Sequence, residues 1–372
     1  MKGEAGHLAT LQRGMAARGF GALVLSTAAD IRWLTSFRTE FWESPTRPWF
    51  VVVPESGEPI AVVPSIGEAA MRRTGIADIR TWASPHPRDD GVSLLAGALR
   101  ETAGPKGPVA LPMQAGTRLG FPLADFLRLR DAFDWRDDAG LVRDARMVKT
   151  DGEIASIRAT CRIAERAFAR LPEIARPGMP LDLVFRRFRV ALLEAGADRV
   201  PYLAGAAGAG GYGDVISPAT SAPLRDDDVL MLDTGATLDG WFCDFDRNVA
   251  LGPPSDAVAD AHHRLVEAVH AAADRARPGV RACDVHDAMA KVCGSPHGGG
   301  RLGHGLGLQL TEPPSLAAHD ATVLRENMVL TFEPVVLLGP DRLMVHEEVV
   351  VLRENGPEWL TGPAGPDVVA AR

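Results

Sequence analysis

Residues 229–249 read VLMLDTGATLDGWFCDFDRNV. Val229-Leu230-Met231-Leu232 is an apolar run that ends on Asp233, and a second run rich in β-formers, Trp241-Phe242-Cys243, ends on Asp244. Asp239-Gly240 between them is turn chemistry, so the stretch predicts an antiparallel hairpin. Two carboxylates eleven positions apart then stand on neighbouring strands of one ribbon and can point at one spot. A carboxylate at the end of an apolar strand is costly unless a cation compensates it, and a metal ion is the usual compensation. Asp233 and Asp244 are therefore the first candidate ligands.

Working outward, three more candidates lie against strand-like sequence. His304 sits in Leu302-Gly303-His304-Gly305, where the glycines let the backbone approach closely. Glu333 interrupts Met328-Val329-Leu330-Thr331-Phe332 and is followed by Pro334, and Glu347 precedes Val349-Val350-Val351. One imidazole and four carboxylates form an oxygen-rich set suited to two divalent ions such as Mn, Fe, Co or Zn, not to a thiolate structural site. Ions sharing carboxylates would polarise a carbonyl and lower the pKa of a bridging water. Read singly, each residue has a blander meaning. An Asp after a strand is a turn or cap residue, a His between glycines is a hydrogen-bonded loop residue, and Glu348 or Asp246 is a solvent-facing charge. The five together carry the reading.

At 372 residues the chain exceeds what one core usually covers, so two domains are expected. The net charge of −8 and the lack of any Lys/Arg-rich block argue against nucleic acid as a partner. No apolar run approaches the roughly 20 residues needed to span a bilayer, and MKGEAGHLATLQRG does not read as a signal peptide. Cys161, Cys243, Cys283 and Cys293 are scattered, with no CxxC pair, which predicts free thiols in a reduced, cytoplasmic protein.

The opening third predicts a small α/β domain: a helix from His7 to Gly19, a strand at 22–25, a hairpin of 49–53 with 60–63, a helix from Val92 to Thr102 and a strand at 109–111. A boundary is expected between Asp144 and Thr150, giving domains 1–145 and 146–372. Beyond it come a helix from Asp151 capped by Thr150, a helix from Leu181 to Glu194, and a glycine-rich loop from Ala204 to Gly213. Helices over 256–275 and 282–292 follow, then strands at 306–310, 329–338 and 343–352.

LDTG…CDFDRN, GHGLG, VLTFEP and VHEE, in this order and spacing, resemble the creatinase/aminopeptidase P/prolidase superfamily. The resemblance implies an α/β (α+β) protein: a C-terminal pita-bread catalytic domain behind a smaller creatinase-like N-terminal domain. It further implies a homodimer and two divalent ions, manganese foremost, with Asp233 on one, His304 on the other, and Asp244 and Glu347 bridging. Glu333 would be the remaining ligand and the general base.

The sequence departs from that pattern. Two histidines usual in the family's peptidases are absent. One belongs shortly before the first Asp, where this chain has Val215-Ile216-Ser217-Pro218-Ala219-Thr220. The other belongs seven positions after the ligand His, where Thr311 opens Thr311-Glu312-Pro313-Pro314. Thr311 is a weaker, uncharged donor to a substrate carbonyl. The usual Thr two after the second Asp is Asp246, which either binds a cationic substrate group or pairs with Arg247. Tyr212 is a candidate phenol donor, acid or base near the first missing His. His297, on the approach to His304, is a candidate substrate-loop residue, and His346 reads as structural. Trp42, with Phe41 and Glu43, either cages a small cation or packs against the domain core or a dimer interface, and the packing role is the one expected of Trp49.

The leading expectation is a metal-dependent hydrolase of a C–N amide bond, of the Xaa-Pro aminopeptidase or dipeptidase type, acting on a short peptide or a small modified substrate. The alternative keeps the scaffold and acts on a small cationic metabolite, as ectoine-hydrolase-like, creatinase-like or dimethylsulfoniopropionate-lyase-like members do. A dead binding module is disfavoured, because five ligand positions are kept.

Overall fold

The computed structural model describes residues 2–104, 107–294 and 300–370. The chain divides into two compact units, Met1–Arg146 and Met147–Arg372.

The first unit is built on a six-stranded mixed sheet of β1 (Ala22–Leu25), β2 (Phe50–Pro54), β3 (Ile60–Pro64), β4 (Asp78–Trp82), β5 (Pro108–Leu111) and β6 (Asp134–Asp137), in the order β4-β3-β2-β1-β5-β6. The expected hairpin is β2–β3, antiparallel, with Phe50 opposite Val62. Its strands are fully buried, and the apolar face of helix Val92–Ala103 packs Leu95 and Leu99 against them.

The second unit is β7 (Arg199–Ala209), β8 (Asp228–Leu238), β9 (Trp241–Phe242) and β10 (Phe245–Ala250), then β11 (His304–Gly305), β12 (Glu312–Ser315) and β13 (Val329–Phe332). It ends with β14 (Val335–Gly339), β15 (Arg342–Val345), β16 (Glu348–Arg353), β17 (Gly356–Trp359) and β18 (Val369–Ala370). One sheet runs β18-β10-β8-β7, with β9 also on β8, and a second runs β12-β11-β13-β16-β17. Alternation along β8 feeds two cores. Leu230 and Leu232 pack with helices Asp151–Phe168 and Leu181–Glu194, whereas Val229 and Met231 pack with helices Asp256–Arg275 and Ala282–Cys293. Thr150 caps the first of these helices in a full capping box with Glu153.

Several sequence expectations fail here, and the runs 329–338 and 343–352 are each broken, into β13 and β14 and into β15 and β16. The glycine-rich stretch from Ala204 is not a loop: through Ala209 it belongs to β7, paired with β8 from Arg199↔Thr237 to Ala209↔Asp228. Small residues let the strands approach where bulk would collide. A Cβ on Gly205 (φ +144°) would lie 2.1 Å from the Met231 carbonyl oxygen. The run 306–310 is no strand either. The ladder is made by His304 and Gly305, and the chain then turns so that the Gln309 N–H meets the Glu312 carboxylate at 3.1 Å.

Candidate metal centre

The β8–β10 hairpin closes at Asp239 (φ 50°) and Gly240 (φ 79°), two residues in the left-handed region that such a tight turn demands. Its register sets Asp233 opposite Asp246 and Thr234 opposite Phe245. Phe245 and Leu232 point into one core. Asp233 and Asp246, and Asp244 two residues before it, therefore share the other face of the ribbon.

The remaining candidates sit where ladders break. Glu333 lies between β13 and β14, Glu347 between β15 and β16, and His304 at a register shift in β11. A break frees a side chain from strict alternation, so residues from different strands can converge. Gly303 (φ +138°) permits the approach to β13, since a Cβ there would lie 2.2 Å from the Thr331 carbonyl oxygen. The His304 N–H then bonds Thr331 Oγ1 at 3.1 Å.

The result is a buried cluster. Asp244, His304 and Glu347 each offer a ligand atom within 4.8 Å of the others. His304 Nε2 is 3.4 Å from Asp244 Oδ2 and 4.0 Å from Glu347 Oε1. His304 Nδ1 lies 2.9 Å from the Gly305 carbonyl, which can only accept, so Nδ1 carries the hydrogen and Nε2 keeps its lone pair. Burial, with Arg301 next, pushes the imidazole pKa down to about 4, so at neutral pH the ring is an uncharged ligand.

The carboxylates are only partly satisfied by the protein. Asp233 Oδ1, Asp244 Oδ1 and Glu347 Oε1 are buried without any hydrogen-bond partner. Burial raises the pKa of Asp233, then Glu333 and Asp246 raise it further. Burial followed by Asp233 raises Asp244, and burial followed by Asp244 raises Glu347. Burial also lifts Glu333 to about 7, with Arg301 opposing. Carboxylates that repel one another in the interior, beside an imidazole lone pair, fit a divalent cation.

Several sequence candidates lie elsewhere. Tyr212 is buried, 2% exposed, and its hydroxyl donates to Asn248 Oδ1 at 3.0 Å and accepts the Val345 N–H at 2.8 Å, which ties it to the scaffold. The phenol at the centre is Tyr202, which donates to Asp233 Oδ2 at 2.8 Å and which the misread of β7 concealed. Asp246 and Glu348 are not solvent-facing, at 1% and 0% exposed, and Asp246 pairs with His346 instead of the Arg247 side chain. Arg247 reaches Glu348 at 3.2 Å. Thr311 is exposed and accepts from Arg301 Nη2 at 3.4 Å. Arg301 thus brings a guanidinium to that position, where sequence reading saw only an uncharged donor. Trp42 packs within the first unit on Phe37 and Trp49, with ring centroids 5.5 and 5.8 Å apart, and the Phe41 face is covered by Arg47. His297 lies outside the described residues.

A pita-bread fold with this buried acid-and-imidazole cluster defines a metallohydrolase. Residues 155–354 match Metallopeptidase family M24 and residues 7–159 the Creatinase/Prolidase N-terminal domain, and the chain belongs to this creatinase/aminopeptidase P/prolidase family. It is 29% identical over 362 residues to "Probable dipeptidase PepE" of Mycobacterium tuberculosis, covering 94% of this chain and 92% of that one. It is 28% identical over 228 residues to the Xaa-Pro dipeptidase of Pyrococcus horikoshii, covering 59% and 64%. The crystal structure of dipeptidase PepE from Mycobacterium ulcerans superposes with a TM-score of 0.85 at 25% identity, over 100% of this chain and 98% of that one. Among the described residues no helix is long and apolar enough to cross a membrane.

Proposed function

We propose that this protein is a dinuclear, manganese-preferring hydrolase that cleaves the amide bond of short peptides of the Xaa-Pro type. The observation that carries the reading is the convergence of Asp244, His304 and Glu347 within 4.8 Å, with carboxylate oxygens left unpartnered. Asp233, Asp244, His304, Glu333 and Glu347 would hold the ions. When bound, these supply Lewis acidity to the scissile carbonyl and acidify the attacking water.

The protein's own groups do the rest. Glu333, in the break after β13, accepts the water's proton and returns it to the leaving nitrogen. Tyr202 fixes the rotation of the Asp233 carboxylate by donating to Oδ2. Arg301, beside Thr311, offers a charged fork to the free carboxylate of a dipeptide. That partly replaces the donor lost with the histidine at position 311. The names of the dipeptidase relatives support a peptide substrate for this site.

The test is release of proline from Xaa-Pro dipeptides by chelator-treated protein reloaded with Mn²⁺, Co²⁺ or Zn²⁺. Turnover that depends on added ion and is greatest with Mn²⁺ supports the reading. Turnover of small cationic amides with no dipeptide cleavage would replace it with the metabolite-directed alternative, which the missing histidines favour.

A further inference from the structure

Asp246 stands opposite Asp233 in the β8–β10 ladder, on the ribbon face that carries Asp244, and only 1% of it is exposed. Its two oxygens are in different situations. Oδ1 lies 3.1 Å from His346 Nδ1, and His346 Nε2 in turn lies 3.1 Å from Glu348 Oε1. An ionised carboxylate only accepts, so a ring between two of them donates from both nitrogens and is a cation.

Glu348 is itself saturated, by Arg247 at 3.2 Å, by the Thr361 hydroxyl and by the Ala364 N–H at 2.8 Å, so His346 is anchored from behind. Asp246 Oδ2, by contrast, is buried with no partner, as are Asp233 Oδ1, Asp244 Oδ1 and Glu347 Oε1. The register places Asp246 directly across the ladder from Asp233 on that face of the ribbon.

We propose that Asp246 is a further donor to the metal centre, presenting Oδ2 to the cation at Asp233, and that His346 is the positioning residue that holds it by Oδ1. The proposal rests on the reading of this cluster as a metal site. It makes the donor set five carboxylates and one imidazole. A set so rich in oxygen favours Mn²⁺ over Zn²⁺ more strongly than four carboxylates would, and the His346 cation balances the added negative charge.

Chelator-treated full-length protein is titrated calorimetrically with Mn²⁺ and with Zn²⁺. The wild type is expected to take two Mn²⁺ ions. Asp246→Asn, which keeps the side-chain volume, is expected to bind one of them about 10- to 100-fold more weakly. Zn²⁺ is expected to lose less, so the Mn²⁺/Zn²⁺ affinity ratio falls. A purely structural role would not shift that ratio. His346→Gln keeps a donor to Oδ1 and is expected to lose less Mn²⁺ affinity than His346→Leu. Should Asp246→Asn not fold in chelator, the double variant Asp246→Asn with His346→Leu removes both charges together and is expected to show the same loss. A wild type that takes up two Mn²⁺ ions, with Asp246→Asn or the double variant matching it in affinity and ratio, overturns the role of Asp246 alone. A wild type that binds no divalent ion overturns the metal centre as well.

Discussion

His304 Nε2 points its lone pair at Asp244 Oδ2 from 3.4 Å, on the side of the ring that carries no hydrogen of its own. The Gly305 carbonyl holds the ring's single hydrogen on the other nitrogen. An ionised carboxylate and an imidazole lone pair facing one another in a buried site repel unless a proton or a metal cation sits between them. Asp244→Asn removes half of that arrangement. It is expected to lower bound metal from two ions per chain to one or none and to reduce turnover by more than about 100-fold. Elemental analysis of the desalted protein, with dipeptide kinetics, checks this; full metal content in the variant would refute it.

The two tyrosines of the second unit separate a site role from a scaffold role. Tyr202→Phe removes the donor to Asp233 Oδ2 and is expected to weaken metal binding about tenfold with little change in melting. Tyr212→Phe leaves Asn248 and the Val345 N–H short of a partner and is expected to cost about 1–3 kcal/mol of stability while kcat stays within about twofold. Denaturant midpoints and metal titrations of both variants should show this opposite pattern.

The metal-free protein should respond to pH with a definite sign. Asp233, Asp244 and Glu347 are raised by burial and by neighbouring carboxylates, and Glu333 stands at about 7. A carboxylate raised on folding holds its proton longer in the folded state, so stability falls as pH climbs toward the folded value. His346, raised to about 9, contributes in the same sense from its ordinary value upward. The lowered His304 and His262, both near 4, act oppositely, but only below about 6.5. Calorimetry in chelator is therefore expected to show melting temperature falling between about pH 6.5 and 8. Mn²⁺ at about 100 times its Kd adds about 2.7 kcal/mol, or roughly 5–10 °C, and flattens the slope. A flat or rising profile without metal would contradict the account.

Arg301 reaches Thr311 and lies close enough to favour the charged forms of Asp244 and Glu333. If it receives the dipeptide carboxylate, Arg301→Ala should raise KM for free dipeptides about 10- to 100-fold, as loss of a charge-assisted contact implies. Its effect on kcat should be small, and C-terminally amidated dipeptides should lose nothing. An equal loss on both substrates would move Arg301 out of substrate binding.

Much of the site was legible because its chemistry is local. Strand-like runs that end on Asp233 and Asp244, glycines around His304 and acids that interrupt apolar sequence at Glu333 and Glu347 each violate the simple rule that apolar strands carry apolar neighbours. A bound cation would resolve these violations together. The Asp239-Gly240 turn was legible for a related reason, since few residues tolerate positive φ.

What the chain order alone determined, then, was the hairpin, the family pattern and the candidates Asp244, His304 and Glu347 that the structure brings together. Only the tertiary structure decided which polar residues are buried and which of them touch. Glycine- and alanine-rich sequence from Ala204 resembles a loop until a neighbouring strand makes its lack of side chains an advantage, and with β7 came Tyr202 in place of Tyr212. Asp246, His346 and Glu348 likewise read as ordinary charges, because burial and the partner across the fold are set by contacts between strands about 100 positions apart. Sequence spacing reports periodicity within one element, whereas pairing between elements depends on register and on breaks in the ladder, which have no local signature.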